Sequence, residues 1–242
     1  MATPFLDPFC GAGTFPLNAR QRSPVQPVTQ QIAALLEIIY GDSEQVKSEW
    51  RAMLRDEVGV RRHGASRRHR MYAPAIDLAV GPFATHRQFI WEYDELIDHS
   101  AGMIEAMLCC YRGNLRRFES VFAAPPFGQL CTLNQNARCF LAIEIEKGNQ
   151  SLKYLIGSSI NASALGRIGI VLAWDQCRLG DLLRGREFLS YMKQLDKNSF
   201  DTNNLLFLSK EQFIRVLERR AGGYYRRTRR RWCTNVERPA TK

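Results

Sequence analysis

The chain has 242 residues, 45% of them apolar, which is enough to bury one sizeable core. No apolar run approaches the ~20 residues that a membrane helix needs. The net charge is +10, 34 Lys and Arg against 24 Asp and Glu, with arginine far outnumbering lysine, so a polyanionic partner, nucleic acid first, is favoured over a basic one. The amino terminus MATPFLDPFCG has no basic segment followed by an apolar run, and this points to a cytoplasmic protein without a secretory signal. The seven cysteines include no Cys-x-x-Cys pair and read as reduced, mostly buried thiols rather than a zinc site.

Residues 1–28 are rich in Pro, Gly, Gln and Ser and read as an arm or loop. Residues 29–40 have the spacing of a helix, ended by Gly41. Asp42 or Ser43 then caps an expected second helix through about Val58, on which Glu57 falls within the apolar stripe and Glu49 lies at its edge. Residues 58–62 and 68–80 pair as an expected hairpin around residues 63–66. Asp77 interrupts the nearly apolar run of the second strand. Such a carboxylate is either satisfied within the core or a metal ligand.

Residues 86–111 read as a long helix and form a helical insertion near residues 86–122, followed by the loop Ala123-Ala124-Pro125-Pro126-Phe127-Gly128. Residues 138–146 are an apolar strand that ends in Glu144-Ile145-Glu146-Lys147. Because a strand alternates its faces, Glu144 and Glu146 point one way and Ile143, Ile145 and Lys147 the other. Two carboxylates on one face need a partner, which is either a basic side chain or a divalent cation. Next come a helix over 151–165, a buried strand over 167–174, and two or three further helices to about Arg220. The whole is expected to be an α/β domain over residues 29–220, a mixed central sheet flanked by helices, with a basic tail at 221–242.

The excess of arginine is concentrated in two clusters, one within this domain and one running from its end into the tail. The first holds Arg61, Arg62, Arg67, Arg68 and Arg70; the second continues past Arg219 and Arg220 into Arg226, Arg227, Arg229, Arg230 and Arg231. Guanidinium groups suit phosphate oxygens, and Tyr224, Tyr225 and Trp232 are interleaved with the second cluster, where they can stack on bases. A solvated basic tail is the simpler alternative for that segment.

Phosphodiester hydrolysis needs an activated water and a neutralised leaving oxygen, and bound Mg²⁺ supplies both from carboxylate ligands. Asp77, Glu144 and Glu146 carry that chemistry if neighbouring strands bring them together, with Lys147 or Lys153 as the basic group within reach. An Asp in an apolar hairpin strand, a Glu-x-Glu/Lys at the end of the next strand, then a helix and an apolar strand resembles the PD-(D/E)xK nuclease superfamily, which includes many type II restriction endonucleases. The resemblance spans roughly residues 43–175. It implies a restriction-endonuclease-like core, Mg²⁺ (or Mn²⁺) held by Asp77 and Glu144, Glu146 at the position usually held by Lys, and Glu57 or Glu49 as an additional helix carboxylate. The substrate implied is DNA, with RNA as an alternative, and a homodimer would allow both strands to be cut.

A second, local resemblance lies at Phe5-Leu-Asp-Pro-Phe-Cys-Gly-Ala-Gly-Thr14, which is similar to the S-adenosylmethionine-binding turn of nucleic-acid methyltransferases. Pro125-Pro-Phe-Gly128 is similar to their catalytic motif, with Ala124 where that motif has Asp or Asn. Methyl transfer is therefore the alternative function. A nucleic-acid-binding protein without catalysis, using the arginine clusters alone, is the third.

Overall fold

The computed structural model describes residues 26–41, 44–52, 74–84, 89–148, 150–197 and 201–223. Among them are six helices and five strands: α1 (Gln26–Tyr40), β1 (Val46–Arg51), β2 (Ala75–Val80), α2 (Ile90–Arg117), α3 (Phe127–Thr132), β3 (Cys139–Glu146), α4 (Leu152–Leu165), β4 (Gly166–Ala173), α5 (Gln176–Gln194), β5 (Leu205–Ser209) and α6 (Lys210–Ala221). The strands form one sheet in the order β1-β2-β3-β4-β5. The pairs β1/β2 and β2/β3 are antiparallel, whereas β3/β4 and β4/β5 are parallel. The fold is thus α/β with a mixed sheet. No helix among the described residues is long and apolar enough to cross a membrane.

The parallel half has the composition that such strands require. Every residue of β3 (CFLAIEIE), β4 (GRIGIVLA) and β5 (LLFLS) is buried, so helices cover both sides of this half, and the strands read as near-continuous apolar runs. Between parallel neighbours the chain must cross over, and right-handed crossings put α4 and α5 on the same face. These two helices pack on each other, while α1 packs on α6 and on β1 and β2. The fit of α4 on the sheet is tight at Gly169, where a Cβ would lie 2.4 Å from Leu205 Cδ2 and 2.8 Å from the Ala162 backbone.

Two regions depart from the sequence-based expectation. Residues 46–51 form strand β1 rather than part of a helix through Val58. The free edge of β2 leaves backbone N–H and C=O groups that need partners, and β1 supplies them while Val46 is buried and the Trp50 ring meets Phe83 at 5.0 Å. The hairpin partner of β2 is therefore β1; the strand expected at residues 58–62 and its turn lie outside the described residues. The second departure is β5, a strand where only helices were expected. Its run LLFLS is too short for periodicity to separate strand from buried helix.

Long polar side chains tie the ends of elements together. Asn114 of α2 donates to Phe207 O at 3.0 Å and exchanges hydrogen bonds with Gln212. Asn134 donates to the carbonyls of Ser163, Ala164 and Gly166, and buried Asn204 donates to those of Ser163 and Gly166, so carbonyls where α4 meets β4 have partners. The five described cysteines are all free thiols, with Cys131 and Cys139 buried and Cys109 and Cys177 exposed.

Candidate active site

The carboxylates gather where β2 and β3 part. Ladder pairs run Val80 to Leu141, Ala79 to Ala142 and Leu78 to Ile143; one step further, Asp77 stands opposite Glu144. At that step the Ile145 N–H donates to Asp77 Oδ2 at 2.7 Å, a side-chain acceptor in place of a main-chain one. The Asp77 N–H in turn faces Glu144 and offsets part of the cost of its burial. On the other side of β2, the pairs Ser48 to Leu78 and Trp50 to Ile76 put Glu49 opposite Asp77. Glu49, Asp77 and Glu144 therefore form one row across three strands.

Glu49 is one of the additional carboxylates expected on a helix; it sits instead on β1, exposed, with φ +50°. A non-glycine residue in the left-handed region costs on the order of 1–3 kcal/mol. Its charge adds to the repulsion on both Asp77 and Glu144. Glu57, the other candidate, lies outside the described residues.

Burial dominates the electrostatics of the cluster. Glu144 is 7% exposed and Glu146 4%. Desolvation, then repulsion from Asp77 and Glu146, pushes the Glu144 pKa from 4.5 up to about 9. Asp77 is raised chiefly by desolvation, against the pull of the Ile145 N–H and Lys147. Glu146 is raised by desolvation too, opposed by a hydrogen bond with Ser158 and by the positive charges of Arg178 and Lys147. Among the described residues no basic side chain closes an ion pair on Glu144 or Glu146.

The sequence-derived candidates thus divide. Asp77, Glu144, Glu146 and Lys147 come together; β3 ends at Glu146, which frees Lys147 from strand alternation to act on both Asp77 and Glu146. Lys153 is exposed on the first turn of α4 and is not among the charges acting on the three carboxyls. Sequence reading missed Ser158 on α4, which hydrogen-bonds Glu146, and Arg178 on α5, whose positive charge acts on it. A polar residue within the first two turns of a helix flanking an apolar parallel strand was their only signal.

Among the described residues, no three His, Cys, Asp or Glu side chains converge closely enough to hold a metal ion by themselves. Two adjacent carboxyls with no cation paired to them do suit Mg²⁺, which takes one or two carboxylates and leaves its other positions to water and phosphate oxygens. The donor set fits that ion. Among the described residues a soft metal is not served by it, since His and Cys side chains lie elsewhere: the His99 ring, for instance, meets Arg220 Nη2 at 2.7 Å.

The arginines split in the same way. Arg220 is 5% exposed and spent on His99, whose ring and carbonyl it contacts. Arg61, Arg62, Arg67, Arg68 and Arg70 and the run Arg226 to Arg231 lie outside the described residues, as does the Gly-rich segment at 5–14. Pro125 and Pro126 lead into α3, and Asn134 just beyond it bonds Gly166 at the start of β4, the opposite end of the sheet from Glu146 and Ala173.

No protein-family model matches this chain, and no curated protein and no solved structure matches it either.

Proposed function

We propose that this chain is a Mg²⁺-dependent endonuclease that hydrolyses phosphodiester bonds of DNA, built on a restriction-endonuclease-like core. The observation that carries the reading is the pairing of Asp77 with Glu144 where β2 and β3 part, two desolvated carboxyls on which no basic side chain among the described residues closes an ion pair. Burying carboxyls unpaired is costly, and a divalent cation would offset that cost. The order antiparallel strand β2, strand β3 ending in Glu-x-Glu, helix α4 and parallel strand β4 supports the same reading. The arginine-rich stretches at 61–70 and 226–231 supply positive charge for a polyanion.

Asp77 and Glu144 would hold the cation. Bound Mg²⁺ supplies charge neutralisation at the phosphate and lowers the pKa of water. Lys147, beside Asp77 and Glu146, orients the attacking water and offsets the cluster's negative charge. The water oxygen bonds to phosphorus as the bond to the leaving sugar oxygen breaks; the proton given up by water balances the one the leaving oxygen takes up.

The test is cleavage of plasmid and duplex DNA by the purified full chain. Cutting is expected only with Mg²⁺ or Mn²⁺, and Asp77→Ala or Glu144→Ala is expected to abolish it while DNA binding persists. Undiminished cutting by both variants would overturn the site.

A further inference from the structure

A phosphodiester is itself an anion, and the cluster that would receive it already holds Glu49, Asp77, Glu144 and Glu146. Positive charge fixed at the same place is needed before more negative charge can develop on the phosphate oxygens. Lys147 is engaged in offsetting Asp77 and Glu146. Among the described residues the other cation acting on this cluster is Arg178.

The chain path fixes where Arg178 lies. Glu146 stands opposite Ala173 across the parallel pair β3/β4, and the Trp174 N–H donates to Glu146 O at 3.1 Å. Asp175 follows as the N-cap of α5 and accepts the Arg178 N–H at 2.8 Å, so Arg178 occupies the first turn of that helix. Its Nη1 donates to Gln150 O at 2.9 Å, reaching across the chain that leaves β3, and lies 3.6 Å from Asp181 Oδ2. The side chain is 7% exposed.

Donor accounting leaves one edge of this guanidinium open. Arginine carries five N–H donors, and the contacts to Gln150 and Asp181 use Nη1 alone. Among the described residues Nε and Nη2 of Arg178 have no protein partner. They are not sealed either, because the sole fully buried and partnerless side-chain nitrogen there is Nε of Arg167. The result is an ordered arginine, anchored through one nitrogen, whose other donors are not fully shielded and whose charge acts on Glu146. An arginine already ordered loses little further freedom when it binds.

We propose that Arg178 is a catalytic residue of this site, its open Nε and Nη2 edge donating to a non-bridging oxygen of the substrate phosphate. The proposal rests on the nuclease reading and adds the group that meets the substrate. Arg178 supplies from α5 the positive charge that position 146, a glutamate, does not.

The full chain and the variants Arg178→Gln, Arg178→Lys and Asp77→Asn would be compared for duplex cleavage in Mg²⁺ and for duplex binding in Ca²⁺ over a range of salt. Arg178→Gln is expected to cut about 100-fold more slowly, as for loss of one transition-state donor. Its binding should lose about one phosphate contact from the salt dependence, a change of ~0.9 in the slope of log K against log salt. Arg178→Lys should fall between it and the unaltered chain. Cutting by Arg178→Gln at the unaltered rate, or slower cutting with an unchanged salt slope, overturns the role of Arg178 and leaves the nuclease reading standing. If Arg178→Gln does not fold, an unaltered rate in Arg178→Lys overturns it equally, since one ammonium cannot replace a two-donor edge. Absence of any Asp77-dependent cutting by the unaltered chain overturns both.

Discussion

At Glu144, burial and ionisation work against each other, and the outcome can be measured. Its pKa stands at about 9 in the folded chain against 4.5 ordinarily. Below the lower value both folded and unfolded forms carry the proton, and the group contributes nothing. Between the two values the unfolded chain has released a proton that the folded chain keeps, so stability falls as pH rises, and the loss is complete above about 9. Asp77 and Glu146, also raised, act in the same direction from their own ordinary range upward. In EDTA, urea midpoints of the unaltered chain should therefore decline between pH ~5 and ~9, and Glu144→Gln should flatten the decline. A midpoint that rises over this window, or the same slope in Glu144→Gln, would show that Glu144 is not held protonated. The carboxyls themselves were legible in the sequence, because strand alternation puts Glu144 and Glu146 on one face and Asp77 is the lone charge in its run. Their neighbours Ser158 and Arg178 were not. They act on Glu146 from two separate crossovers, Ser158 by a hydrogen bond and Arg178 by its charge, and no spacing along the chain encodes that closeness.

At the scale of elements, β3, α4 and β4 follow the expected bounds to within about a residue, since each carries a long apolar or periodic run with a clear end. Residues 46–51 show the opposite case. VKSEWR has a helix-compatible stripe, yet hydrogen bonding to the β2 edge decides its state. Local propensity spans only tenths of a kcal/mol per residue, so a row of ladder bonds and the Trp50–Phe83 contact outweigh it. Two glycines separate close packing from simple helix propensity. Gly169→Ala would drive a methyl into Leu205 and the Ala162 backbone, and a loss of about 1–3 kcal/mol is expected from such overpacking. Gly157, within α4, has nothing within 4 Å of where a Cβ would stand. Gly157→Ala should therefore stabilise the protein by about 0.5–1 kcal/mol through helix propensity alone. Chemical denaturation of both variants checks the pair: equal signs would contradict the tight seating of α4 on β4.

Across the whole molecule, burial is uneven in a way that matters for the site. Strands β3, β4 and β5 are buried along their entire length, whereas four of the six residues of β1 are exposed. Opening β1 exposes little apolar surface, while opening β3 or β4 exposes the core. Amide exchange is accordingly expected first at β1 and only through global unfolding at β3 and β4, read by native-state hydrogen exchange against urea. Equal protection of β1 and β3 would contradict this gradient. The candidate site spans the boundary, with Glu144 and Glu146 on the buried strand, Asp77 on the strand between, and Glu49 on the exposed edge. Substrate approach from the β1 side would then meet the least stable element of the sheet.

By itself the sequence determined what short-range chemistry controls: an α/β alternation, the strand ending in Glu-x-Glu, the lone Asp77, and a strongly basic charge balance. These follow from periods of 2 and 3.6 and from composition, which need no knowledge of partners. Only the tertiary structure decided that β1 is a strand, that Asp77 faces Glu144, that Glu49 joins their row and that the charge of Arg178 acts on Glu146. Register and crossover bring together residues up to about a hundred positions apart, and that closeness comes from burying the sheet's two faces, a property of the assembled chain rather than of any segment.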